Sequence, residues 1–82
     1  MTATPALTKI LGPALVDWLD TDEHRDQAYA LHQLIADQDG PYVASAWLIG
    51  MNPHLGNDSP LNAIRNGRGV DAREASRTYL DG

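Results

Sequence analysis

The sequence predicts an all-α fold, a small compact bundle of five or six short helices in a single domain spanning residues 1–82. Three observations carry that expectation. Apolar residues recur at intervals of three and four, capping residues or prolines stand before most apolar segments, and no stretch alternates apolar and polar side chains as a half-buried strand would.

The first segment opens at Thr4-Pro5, a cap followed by a first-turn proline, and Leu7, Leu11, Leu15 and Trp18 mark its apolar stripe. Gly12-Pro13 interrupts that stripe. An interior proline removes one backbone hydrogen bond and presses on the preceding turn, at a cost of ~3 kcal/mol, so two short helices or one sharp kink are expected. Asp20-Thr21 then caps a helix running to about Asp37, with Asp22 and Glu23 in its first turn where the helix dipole favours negative charge. Its expected buried stripe is Ala28, Leu31, Leu34 and Ile35, with Tyr29 and His32 at the margin.

Gln38-Asp39-Gly40 ends that helix and Pro41 opens the next, in which Val43, Ala46, Trp47 and Gly50 share a face flanked by Leu48, Ile49 and Met51. A helix so apolar around its girth is expected at the centre of the bundle. Asn52-Pro53 stops it, because the residue before a proline is pushed out of helical geometry. After the loop His54-Leu55-Gly56-Asn57-Asp58, Ser59 or Asp58 caps a short helix from Pro60 to about Asn66, anchored by Leu61 and Ile64. Asn66-Gly67-Arg68-Gly69 reads as a turn. Asp71, with Glu74 three residues on, resembles a capping box for a last helix carrying Ala72, Ala75, Tyr79 and Leu80.

Composition narrows the function classes. The chain has no cysteine, which excludes disulfides, thiolate zinc sites and thiol chemistry. Its formal charge is −5, with the acidic excess in the first half. Affinity for nucleic acid comes largely from lysine and arginine displacing counterions at phosphates, so a protein partner is favoured over DNA or RNA. A chain of 82 residues buries only about 60% of its extended surface, and that favours a homo-oligomer or a complex. Neither a leader segment nor an apolar run near the ~20 residues a bilayer needs is evident, so a cytoplasmic protein without membrane contact is expected.

No constellation for catalysis or cofactor binding stands out. His24 and His32 lie eight residues apart, about 80° around a helix, and no carboxylate or second histidine at helical spacing completes a metal site. Asp20, Asp22, Glu23 and Asp26 lack the glycine and spacing of a calcium loop, and a capped helix start accounts for them better. Gly67-Arg68-Gly69 is too short for a phosphate loop and comes after a helix. Asn57-Asp58-Ser59 matches a glycosylation triplet but is read as capping. His54 beside Asp58 and Ser59 is the only local grouping of catalytic residue types, and it lacks a converging third partner. Trp47 is expected in the core and Trp18 nearer the surface. No enzyme, metal or cofactor is expected.

The order Trp47-Leu48, Asn52-Pro53, Leu55-Gly56, Ser59-Pro60-Leu61, Ile64, Gly67, Val70 and Gly82, within residues 44–82, resembles the C-terminal toxin-binding domain of the MbcA/ParS/Xre antitoxin family. Trp47, Asn52, Pro53, Leu55, Pro60 and Gly67 are its structural signature here. Ile10-Leu11-Gly12-Pro13-Ala14-Leu15-Val16 is also similar to the start of the helix-turn-helix segment in actinobacterial members. The longer basic region that DNA-binding members insert before the long helix is reduced to Val16–Asp22, which offers no major-groove reader.

The resemblance implies an antitoxin-like protein that binds a RES-type, NAD-consuming toxin and occludes its active site with the closing helix and tail. Arg73, Arg77, Tyr79, Leu80, Asp81 and Gly82 would be the toxin-binding residues. Arg73 and Arg77 share a helical face, and Asp81 with the carboxylate of Gly82 could pair with arginines that otherwise hold a dinucleotide phosphate. Self-association is expected through the N-terminal helices of residues 1–20, at Leu7, Leu11, Leu15 and Trp18. The alternatives are a DNA-binding regulator of the same family, and a phage or accessory protein directed at another host protein.

Overall fold

The computed structural model describes residues 3–82. Six α-helices succeed one another: α1 (Thr4–Leu11), α2 (Pro13–Trp18), α3 (Asp22–Asp39), α4 (Pro41–Ile49), α5 (Pro60–Arg65) and α6 (Gly69–Asp81), with a short 3-10 turn at Pro53–Leu55. Among the described residues there is no strand, only one isolated bridge between Asn52 and Asp58. The all-α bundle read from the sequence is the fold observed.

Two glycine-proline steps break the chain into hairpins. Gly12 (φ 88°, ψ 157°) closes α1 by donating to the Thr8 carbonyl at 2.9 Å and accepts from Val16 as α2 begins. Gly40 does the same between α3 and α4, with φ 92° and ψ 161°. The proline after each glycine dictates the extended ψ, while the positive φ needs a residue without a Cβ. One residue therefore ends one helix and starts the next.

Thr21 caps α3 as expected, its Oγ1 accepting from His24 N at 3.1 Å. With 18 residues α3 is the longest helix, and α1, α4, α5 and α6 all pack against it. It is the spine of the bundle. One core draws side chains from all six helices, among them Leu7, Val16, Leu31, Leu48, Ile64 and Ala75. Among the described residues no helix is long and apolar enough to cross a membrane.

Several expectations are corrected. The inward side of α4 is Ala44 and Leu48, both fully buried, with Val43, Ser45 and Trp47 half-buried; Ala46 is exposed. A helix apolar on every side has no period from which its buried face can be read. Nor is α4 central, since Tyr42 and Ile49 are 86% and 56% exposed. On α3, His32 is buried and Leu34 is not, so the stripe is Ala28, Leu31, His32 and Ile35. His32 is accommodated by Ser45 of α4, whose Oγ lies 3.2 Å from Nε2. α3 also runs two residues beyond Asp37, to Asp39.

At the end of the chain, α6 starts at Gly69 and has no side-chain cap. Asp71 lies inside its first turn, where it still meets the helix dipole, but the capping box with Glu74 is not formed. Leu7 is fully buried in the core, and Leu11 and Leu15 are packed against it. Leu7 is therefore not available to a dimer interface; of the four residues expected there, Trp18 alone is exposed, at 36%.

Candidate protein-binding face

α4 ends at Ile49, with Gly50 in extended backbone (φ −83°, ψ 159°), so the helix stops before the Asn52-Pro53 step expected to end it, and that step instead opens the corner between α4 and α5. Asn52 is buried, its Oδ1 accepts from His54 N at 2.9 Å, and its carbonyl accepts from both Leu55 and Asn57. Gly56 and Asn57 take left-handed backbone, which reverses the chain so that Asn52 N reaches the Asp58 carbonyl at 3.0 Å. Asn and Gly tolerate that region better than other residues.

Asp58 then ties the corner to α5 and to the turn beyond it. Its Oδ1 accepts from Ser59 N and Asn62 Nδ2, and its Oδ2 accepts from Asn62 Nδ2 and from Arg68 Nη2 at 2.8 Å. Ser59 separately caps α5 by accepting from Asn62 N at 3.0 Å. One carboxylate thus links the corner, α5 and the turn at Gly67 that leads into α6. Of the signature residues, Asn52, Leu55 and Pro60 are buried, Trp47 is half-buried, and Pro53 and Gly67 are exposed, Gly67 with φ 82°.

The frame presents α6 along one side of the bundle. Ala72, Ala75 and Ser76 face inward, and Ser76 Oγ donates to the Arg73 carbonyl. Arg73, Glu74, Arg77, Asp81 and Gly82 are exposed, and Leu80 is half-buried. Among the described residues neither Arg73 nor Arg77 joins an ion pair. The closing helix is accessible along its outer face and at its end.

Tyr79 differs from its neighbours because it is held. Its hydroxyl donates to Asp39 Oδ2 at 2.8 Å, and its ring meets Trp47 with centroids 6.2 Å apart, tilted by 50°. The far end of α6 is thereby latched onto the end of α3 and the flank of α4. The hydrogen bond to Asp39 is the main reason the Tyr79 phenol is held above its ordinary 10.0, with desolvation and the Asp39 charge adding to it. Since the folded-state value is raised, the latch contributes fully below the unfolded tyrosine value and is lost as pH rises through the folded one. A component of the phenolate titration above 10.0 is expected in the ultraviolet absorbance and should vanish in Tyr79→Phe. Its persistence in that variant would reject the assignment.

Beside α6 runs an open, mostly apolar groove of about 430 Å³ between α3 and α6, lined by Gln27, Ala30, Leu31, Leu34, Val70 and Arg73. Gly69 forms part of its floor, where an added Cβ would sit 2.5 Å from Gln27 Oε1. Sequence reasoning missed this groove because Leu34 falls on the helical stripe that should have been covered. The available signal was the polar Gln27 one helical repeat earlier on the same face, which marks a stripe that leaves the core.

The histidines are spread apart. His24 Nδ1 donates to the Leu19 carbonyl at 2.8 Å, His32 is buried against Ser45, and His54 is exposed in the corner. Among the described residues no three His, Asp or Glu side chains gather as a metal centre requires. At the N-terminal end, Arg65 Nε donates to the Trp18 carbonyl at 2.7 Å while its guanidinium lies 5.1 Å from the Trp18 ring centroid. This pins α2 to α5. The chain matches no protein-family model, no curated protein and no solved structure.

Proposed function

We propose that the chain is a non-enzymatic protein-binding inhibitor, antitoxin-like, whose target is a RES-type NAD-consuming enzyme. The observation that carries this reading is the outer face of α6, where Arg73 and Arg77 stand exposed and join no ion pair among the described residues, on a helix braced by the Asp58 corner. Unpaired arginines on a rigid helix suit recognition of carboxylates, and Asp81 at the helix end suits an arginine-lined nucleotide pocket. The neighbouring groove adds an apolar component to the same side of the molecule. In this mechanism the closing helix enters the partner's cleft and excludes NAD by occupying it.

Protein is favoured over DNA as the partner for a chemical reason. The segment Pro13–Trp18, which would have to lead a recognition helix, contains no lysine, arginine, asparagine or glutamine with which to read base edges.

Deletion of Thr78–Gly82 is expected to abolish inhibition, measured as NAD content in cells co-expressing the chain with a RES-type enzyme. Because the deletion also removes the Tyr79 latch, Arg77→Ala with Asp81→Ala serves beside it, both positions being exposed and structurally free to change. Weakened protection by both variants supports the mechanism. Full protection by the truncated chain rejects it.

A further inference from the structure

The outward side of α4 is the feature that neither the fold nor the proposed inhibition uses. α4 contains no charged residue, its exposed stripe runs through Tyr42, Ala46 and Ile49, and Met51, two residues past its end, is 83% exposed. At about 100° per residue, Tyr42 and Ile49 lie within about 20° of each other on the helix surface, with Ala46 between them and Leu48 turned into the core. Ile49 also borders a shallow depression of about 220 Å³ formed with Leu15, Trp18, Ser59 and Leu61. The stripe therefore has a projecting ring at one end, a small residue near its middle and a hollow at the other end.

We infer that this stripe is the contact between two copies of the chain, packed antiparallel about a two-fold axis near Ala46. The pattern is self-complementary, which is what a two-fold interface demands. An axis between Ser45 and Ala46 places Tyr42 of each copy against Ile49 and the Leu15–Trp18–Leu61 hollow of the other. Ala46, carrying only a methyl group, lets the two helix axes approach closely. Area points the same way: large side chains carry about 150–250 Å² each, so Tyr42, Ile49, Met51 and Trp18 at their observed exposures present on the order of 500 Å². That lies at the upper end of what a monomer leaves uncovered. Two copies would together cover about 1,000 Å², the low end for a specific interface, so a weak, concentration-dependent dimer is expected.

Charge argues for a second copy over a differently charged partner. Each chain carries −5, yet the stripe itself is uncharged, so it offers nothing to select a basic or acidic surface and is matched in character by its own copy. The contact also leaves α6 free. Trp47, which meets Tyr79, lies about 140° around α4 from Tyr42, so both closing helices of the pair remain accessible.

The test uses sedimentation equilibrium of the full chain from low micromolar to about 0.5 millimolar, the span that resolves a weak dimer. A monomer–dimer equilibrium that is unchanged or tighter at higher salt is expected, because screening relieves the repulsion between two acidic chains. Ile49→Asp, at an exposed position, should weaken association roughly tenfold or more while keeping the helical circular dichroism of the parent. Since the chain has no cysteine, Ala46→Cys introduces a single thiol, which should oxidise readily to a covalent dimer, whereas Glu74→Cys, at an exposed position on α6 outside the stripe, should not. A monomer throughout that range, equal cross-linking at both sites, or dissociation by salt would each overturn the inference. None of these outcomes depends on whether α6 inhibits an enzyme.

Discussion

Leu48→Ala is expected to cost about 3–4 kcal/mol of folding stability, near the middle of the range for truncating a fully buried leucine. Leu48 is 0% exposed and sits where α4 meets α3, the most extensive helix pairing in the bundle. Removing its branched end deletes transfer free energy and leaves a void that helices held by one-residue links cannot collapse into. A domain of 82 residues has on the order of 4–12 kcal/mol in total, so the loss is a large fraction of what holds it folded. Thermal denaturation monitored by circular dichroism should show the midpoint fall by roughly 15–30 °C. Ile49→Ala, one residue on but turned outward, should shift the midpoint little when measured at concentrations where the chain is monomeric. Similar shifts for the two variants would mean that the faces of α4 are wrongly assigned.

Asp58→Ala is expected to be the most damaging change of a polar side chain, at about 2–3 kcal/mol. The ion pair with Arg68 contributes little of this, for both side chains are partly exposed, at 31% and 41%, and water screens them. The larger share comes from the carboxylate's bonds to Ser59 N and Asn62 Nδ2, which fix the entry to α5 and leave unpaired donors if lost. Asp58→Asn keeps an acceptor for Ser59 N and should cost about 1 kcal/mol, close to that of one ordinary hydrogen bond. Chemical denaturation of the two variants beside the parent separates these terms. Equal losses for Ala and Asn would place the effect in the charge instead.

What the sequence made legible was punctuation. Gly12-Pro13, Gly40-Pro41 and Ser59-Pro60 restrict backbone geometry through their own covalent structure, Thr21 caps through its side chain, and each lies at a helix boundary as expected, whereas α4 already ends at Ile49 and Asn52-Pro53 opens the 3-10 turn beyond it. Burial was legible only where a helix is amphipathic: Ala28, Leu31, Leu61, Ile64, Ala72 and Ala75 are all buried. It failed on α4, where a uniformly apolar surface encodes no direction, and at His32, whose burial depends on Ser45 on a neighbouring helix. The start of α6 was misplaced because Asp71 has the chemistry of a cap, while Arg68 and Gly69 start the helix with none.

For the candidate binding face, the exposure of Arg73, Arg77 and Asp81 was foreseeable from their helical positions. The restraint on Tyr79 was not, since its partner Asp39 lies forty residues away in sequence. Nor could the sequence indicate that Asp58 gathers Ser59, Asn62 and Arg68 around one carboxylate, because that convergence exists only once the chain reverses at Gly56 and Asn57.

The single-glycine joints leave the molecule no slack between α1 and α2 or between α3 and α4. An extra residue at Gly12 or Gly40 would swing the downstream helix to a new bearing and carry its apolar side off the core, so these joints tolerate no change in length. The turns at Gly56-Asn57 and Asn66-Gly67, although exposed, are bound to a length as well, since Asn57 N donates to the Asn52 carbonyl and Arg68 N to the Ala63 carbonyl across them.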